Sequence, residues 1–151
     1  MTINVEKMVL EEKGLKVHAF AFIPEESKLT NVQALFTHGY TAHKGDLITW
    51  ASKLVELGIA VTLFDLPGHL LGSFEMVESF PQFSDNAHRF FARAHVRTCE
   101  IMGRIRNTAA PTRLILGGHS LGGLVAIKAL AIEIAHAQLG VGRNVPIIAV
   151  I

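Results

Sequence analysis

The sequence has one cysteine, one tryptophan and one tyrosine among its 151 residues. A lone cysteine, Cys99, excludes an internal disulfide framework and fits a reducing compartment. Charge is scarce as well: 18% of residues are Asp, Glu, Lys or Arg, and the net charge is +1 with histidines neutral. That near-balance removes the electrostatic argument for a nucleic-acid or anionic-membrane partner. Residues Met1 to Lys7 lack the basic-then-apolar layout of a secretory leader. No apolar run reaches the ~18 residues of a membrane span, because Lys128 and Glu133 interrupt the most apolar segment. Repeats, low-complexity tracts and zinc-type His/carboxylate spacings are missing too. These absences predict a soluble, cytoplasmic protein without metal or cofactor. What is abundant is apolar: 50% of residues are hydrophobic, enough for one domain over 1–151 with a real core.

The order of patterns supplies the fold class. Val5 to Ile23 reads as two strands around Glu12-Lys13-Gly14; in the second, Leu15, Val17, Ala19, Ala21 and Ile23 alternate with the intervening residues. Val32 to Phe36 is a short apolar strand that breaks at His38-Gly39-Tyr40-Thr41. Asp46 is the expected N-cap of a helix with Leu47, Trp50, Ala51, Leu54 and Val55 on one stripe, stopped by Gly58. A buried strand, Ile59 to Phe64, ends in Asp65-Leu66-Pro67-Gly68-His69. Ser84 or Asp85 is the expected cap of a long helix carrying Phe91, Ala94, Ile101 and Ile105 on one side, and Thr108 to Pro111 connects it to the next strand. After Ser120 a helix is expected to about Leu139, with Gly140 and Gly142 as stops, then a last strand from Val145 to Ile151. Such alternation predicts an α/β fold: a mostly parallel sheet with helices on both faces, opened by an antiparallel hairpin.

One stretch carries chemistry. Leu114-Ile115-Leu116 leads into Gly118-His119-Ser120-Leu121-Gly122, and an Ala/Leu/Ile-rich helix follows. Gly-x-Ser-x-Gly between a strand and a helix is the pattern of a nucleophile elbow, a sharp turn that lifts the serine hydroxyl above the sheet. Gly118 and Gly122 supply the clearance this turn needs, and the helix start aims N–H groups at the same space.

With these landmarks placed, the sequence resembles the α/β-hydrolase superfamily, in its serine esterase/lipase-like branch. The resemblance rests on His38-Gly39 after the third strand, Asp65-Leu66-Pro67-Gly68-His69 after the fourth and Gly118-His119-Ser120-Leu121-Gly122 after the fifth. It implies that strands three and five are adjacent. It also implies Ser120 as nucleophile, with the N–H groups of Tyr40 and Leu121 as an oxyanion hole worth ~3–4 kcal/mol per donor. His38, Gly39, Gly118, His119 and Gly122 would support the elbow and its loop, with His119 packed beneath the turn. A small-molecule carboxylic ester is the implied substrate, cleaved by acyl transfer. Two departures stand out. Leu70 replaces the second glycine usual after Pro-Gly, so this loop is expected to leave the family's usual path, and Asp65 is read as structural, its carboxylate bonding loop amides.

The other departure is the catalytic partners. In the family the acid and the histidine follow the sixth strand, yet after Ser120 the sequence offers only Glu133 and His136. His136 would sit ~24 Å down the helix axis, too far to be the base. His38 and His69 are expected near the elbow but bonded within their loops, His43 on a loop surface, and His88 and His95 in solvent. The reading is therefore a hydrolase domain without its C-terminal third or more, its triad acid and histidine missing from this chain. The alternative is a non-catalytic remnant or interaction module. Either way the Val145–Ile151 edge invites cover from a homo-oligomer or from a missing C-terminal segment. Tyr40, Leu70, Leu71, Phe74 and Leu121 suggest an apolar wall beside the serine.

Overall fold

The computed structural model of the chain describes residues 1–70, 73–74, 80–106, 113–136 and 147–150. Strands β1 (Ile3–Glu12) and β2 (Leu15–Pro24) form the expected hairpin, in unbroken antiparallel register from Ile3 against Pro24 to Glu12 against Leu15. In β2 the alternation is realised: Val17, Ala19, Ala21 and Ile23 are buried while Lys16 and His18 face out. The turn closes because Lys13 and Gly14 both take positive φ, 49° and 80°.

Strands β3 (Val32–Thr37), β4 (Ala60–Phe64), β5 (Arg113–Gly118) and β6 (Ile147–Val150) complete a six-stranded sheet in the order β1-β2-β4-β3-β5-β6. β2 and β4 pair antiparallel; β4, β3, β5 and β6 run parallel. Strands three and five are adjacent, as the resemblance implied. All five residues of β4 are buried, which a parallel strand covered on both faces requires.

Each face has its own core. On one, Ala34, Phe36, Val61 and Leu63 meet Ala51 and Val55 of helix α1 (Ile48–Glu56) and Leu47 just before it. On the other, Leu35, Phe64, Leu114 and Leu116 pack under helices α3 (Arg89–Arg106) and α4 (Leu121–His136), with Phe64 and Phe91 edge to face at 4.9 Å. Each fully buried Phe contributes about 2–3 kcal/mol by removal from water.

Three local expectations are corrected. Asp46 does not cap α1: His43 caps a 3-10 turn, Lys44–Leu47, its ring accepting the Gly45 N–H while the Asp46 carboxylate accepts the His43 N–H, each at 3.1 Å. Ser84 and Asp85 are not caps either. They lie within a separate helix, α2 (Phe80–Asn86), which tolerates Pro81 because the first turn's N–H groups have no intrahelical partner. The Lys128 ammonium donates to the Ser84 carbonyl at 2.5 Å and so caps the last turn of α2, and α3 starts afresh at Arg89. Finally, His88 and His95 are buried rather than solvated. His95 Nδ1 lies 2.5 Å from Oε1 of Gln33, a polar residue inside β3 that needed such a partner. The predicted connection Thr108–Pro111, Leu71 of the apolar wall and the stops Gly140 and Gly142 lie outside the described residues.

Candidate active site

The parallel strands β3 and β5 deliver their C-terminal loops to one place. Thr37 pairs with Gly118, and the His119 N–H donates to the Thr37 carbonyl at 3.2 Å, carrying the ladder one step into the turn. The chain then reverses at Ser120, whose φ is +53°, a conformation that L side chains rarely adopt. The glycines two positions away explain how the reversal closes. A Cβ on Gly118 would collide with the backbone of Gly122, and one on Gly122 would collide with the carbonyls of Thr37 and His38. Ser120 itself is exposed.

After the turn, the Gly122 N–H donates to the His119 carbonyl at 2.9 Å, and the Gly123 and Leu124 N–H groups donate to the Ser120 carbonyl. Among the described residues the turn takes up the amides of Gly122, Gly123 and Leu124 but not that of Leu121, the first of α4. Gly39 comes up against this turn from β3: a Cβ there would lie 3.3 Å from the Ser120 Cβ and 3.1 Å from His119 Nδ1. His38, Gly39, Gly118, His119, Ser120 and Gly122 are therefore brought together. His119 is exposed above Gly39 rather than packed beneath the elbow, because the buried side of the turn is filled by backbone.

The histidines beside the elbow are engaged elsewhere. His38 is 1% exposed, and its Nε2 accepts the Leu66 N–H at 3.0 Å. The proton is therefore on Nδ1, which donates to the Gly39 carbonyl at 2.7 Å. The imidazole thus joins the loop after β3 to the loop after β4. His69 is also buried, with Nδ1 donating to the Pro67 carbonyl at 3.1 Å, and its ring sits between His38 and the exposed Tyr40. Burial pushes its pKa below the ordinary imidazole value.

Sequence reasoning missed Lys44. Its amide and its ammonium reach the two oxygens of Asp65, at 2.8 and 2.7 Å, with both side chains nearly out of solvent. Burial acts to raise the Asp65 pKa, yet the value is lowered because hydrogen bonding to His38 and Lys44 favours the carboxylate. Since Leu66 occupies His38 Nε2, the Lys44 contacts carry the effect. Asp65 is thus a strut between loops. Among the described residues no group of three His, Cys, Asp or Glu could hold a metal ion.

A sequence model of the alpha/beta hydrolase family matches residues 34–150. The chain belongs to the alpha/beta hydrolase family. As a member it shares its fold with solved structures of low identity, two of them esterases. EstE1, a thermophilic carboxylesterase cloned from a metagenomic library, is 16% identical and superposes with a TM-score of 0.69 over 91% of this chain and 44% of its own. Brefeldin A esterase, a bacterial homologue of human hormone sensitive lipase, is 17% identical, with a TM-score of 0.66 over 91% of this chain and 37% of its own. TT1662 from Thermus thermophilus is 25% identical, with a TM-score of 0.58 over 87% of this chain and 52% of its own. The chain therefore spans about half or less of the length of these three proteins. No curated protein matches it. Among the described residues no helix of this family member is long and apolar enough to cross a membrane.

Proposed function

We propose that the chain carries the nucleophile half of a serine hydrolase acting on small carboxylic esters. The observation that carries this is the positive φ of Ser120, held between two glycines whose Cβ positions are filled by backbone. A turn so tightly determined at a non-glycine residue costs about 1–3 kcal/mol, and presenting a nucleophile is the use this strain serves. In this reading Ser120 Oγ attacks the ester carbonyl, and the Tyr40 and Leu121 amides receive the developing alkoxide. Two features support the hole. The turn leaves the Leu121 N–H unused, and the Gly39 carbonyl is held inward by His38 Nδ1 and by the Ala42 N–H at 3.2 Å. In a trans peptide the Tyr40 N–H then points the opposite way, out of the core. The histidine and acid that complete the reaction reach Ser120 from outside the described residues. In this reading the enzyme is cytoplasmic and needs no cofactor.

Labelling with a fluorophosphonate probe tests the proposal. A serine with an oxyanion hole but no base keeps about 10³–10⁴-fold residual catalysis, so slow labelling mapped to Ser120 and lost in Ser120→Ala is expected. No labelling at Ser120 in a folded chain would overturn the nucleophile assignment.

A second reading, an interaction module on this scaffold, is favoured by one observation: Leu124 and Ile127 of α4 are 62% and 40% exposed. With β6 last in the sheet order, a second copy would cover both this face and the open strand edge. Light scattering that gave a single monomeric species would count against it.

A further inference from the structure

The first two turns of α4 also line a cleft of about 200 Å³ that starts beside the elbow. Its walls are Leu121, Leu124 and Val125 from α4 and Phe83 from α2, all apolar. Its far end is polar: Lys128, Ser84 and His88. Lys128 is seven positions beyond Leu121, so the lining extends ~10 Å along the helix axis from the residue after the nucleophile to the lysine.

The polar end has unused capacity. An ammonium carries three donors. Two of the Lys128 donors go to the carbonyl and hydroxyl of Ser84, at 2.5 and 3.3 Å. The remaining neighbour, the well-exposed Asp85 carboxylate, is 3.8 Å away, beyond hydrogen-bond distance. Next to it His88 is 6% exposed; its ring faces the Ser84 backbone, but among the described residues its buried Nδ1 has no partner within hydrogen-bond geometry. Buried polar atoms in this state are uncommon and raise the question of an absent partner. Burial lowers the His88 pKa, as do the charges of Lys128 and Arg89; the Ser84 backbone and the Asp85 carboxylate oppose this without reversing it, so the ring is neutral beside two cations and one carboxylate. A group that satisfies an ammonium and an imidazole in a locally positive site is an anion with oxygen acceptors.

We propose that this cleft binds a linear apolar chain ending in a carboxylate, with the carboxylate at Lys128 and His88 and the chain lying along Leu124 and Leu121 toward Ser120. Resting on the ester-hydrolase reading, the occupant is the acyl part of a half-ester of a dicarboxylic acid. Lys128 then selects substrate at the end remote from the reacting carbonyl, and Leu124 sets the width of the path.

Calorimetric titration of the whole chain carrying Ser120→Ala, with octanoate and with 1-octanol, tests this without any chemistry at Ser120. Octanoate is expected to bind at least tenfold more tightly than octanol. Lys128→Met should erase that difference, and Leu124→Glu, a change at an exposed position that spares the fold if Lys128→Met does not, should weaken octanoate at least tenfold. Equal binding of the two probes, or octanoate binding that neither substitution alters, would overturn the proposal. In the unsubstituted chain, octanoate that slows fluorophosphonate labelling of Ser120 supports assigning the cleft to the substrate. Binding with no such protection overturns that assignment, and failure of labelling alone bears only on the nucleophile.

Discussion

Among the described residues three turns place a non-glycine residue at positive φ close to glycine, at Lys13, Thr41 and Ser120, and the first and last do so for opposite reasons. In the β1–β2 hairpin, Gly14 takes φ +80°, and a Cβ there would meet nothing within 4 Å. What that turn demands is a torsion. At the elbow, a Cβ on Gly118 or Gly122 would strike backbone, and neither glycine has φ in the left-handed region. What that turn demands is space. The contrast extends to the surroundings. The hairpin is tied to α3 by two ion pairs with solvent-facing arginines, Arg104 to Glu6 and Arg93 to Glu12, whereas the loops beside the elbow are joined by the buried Lys44–Asp65 pair and the His38 bridge. One end of the sheet tolerates change, and the other is fully committed.

The sharpest way to break the contrast is Asp65→Ala. It strands the Lys44 ammonium in a buried site and should destabilise the chain by about 3–5 kcal/mol in urea titrations. The same pair sets a pH dependence. The Asp65 pKa is lowered on folding, so its contribution is fully present above the unfolded value of about 3.9 and is lost as pH falls through the lower folded value. Stability measured from pH 5 downward should therefore fall less steeply in Asp65→Ala than in the parent.

Gly122→Ala comes next, at about 3 kcal/mol, since the displaced groups are main-chain carbonyls that cannot swing aside. It should also lose the Ser120 labelling. By comparison, Gly14→Ala pays only the left-handed torsion, about 1 kcal/mol, and should leave Ser120 labelling unchanged. A larger loss there than at Gly122 would invert the comparison. Arg104→Ala should change stability least, about 0.5 kcal/mol and less in high salt, because the pair is largely in solvent.

What could be read from sequence was what repeats locally. The alternation of β2, the apolar run of β4 and the glycine spacing around Ser120 each express a constraint within a few residues, and each is found in the structure. What escaped depends on meetings across the chain. Nothing near Lys44 shows that its ammonium will be buried against a carboxylate 21 positions later. The break between α2 and α3 was invisible because the apolar period continues through it, and the lysine that caps α2 comes from α4. Gln33 was the one legible hint of this kind. A polar side chain inside an apolar strand had to find a buried partner, and His95 supplies it.

The position of β3 between β4 and β5 has a consequence for how the chain assembles. β1 meets β2 across a two-residue turn, but Val32 must find Arg113 before the serine turn can exist at all. Closing that long loop is slow and entropically unfavourable, so hairpin and β3–β4 contacts are expected to form ahead of it. A ribosome that has not yet released residue 118 holds a chain with much of its sheet and no nucleophile. The strained turn then forms late, after the hairpin and the β3–β4 contacts that its strand docks against.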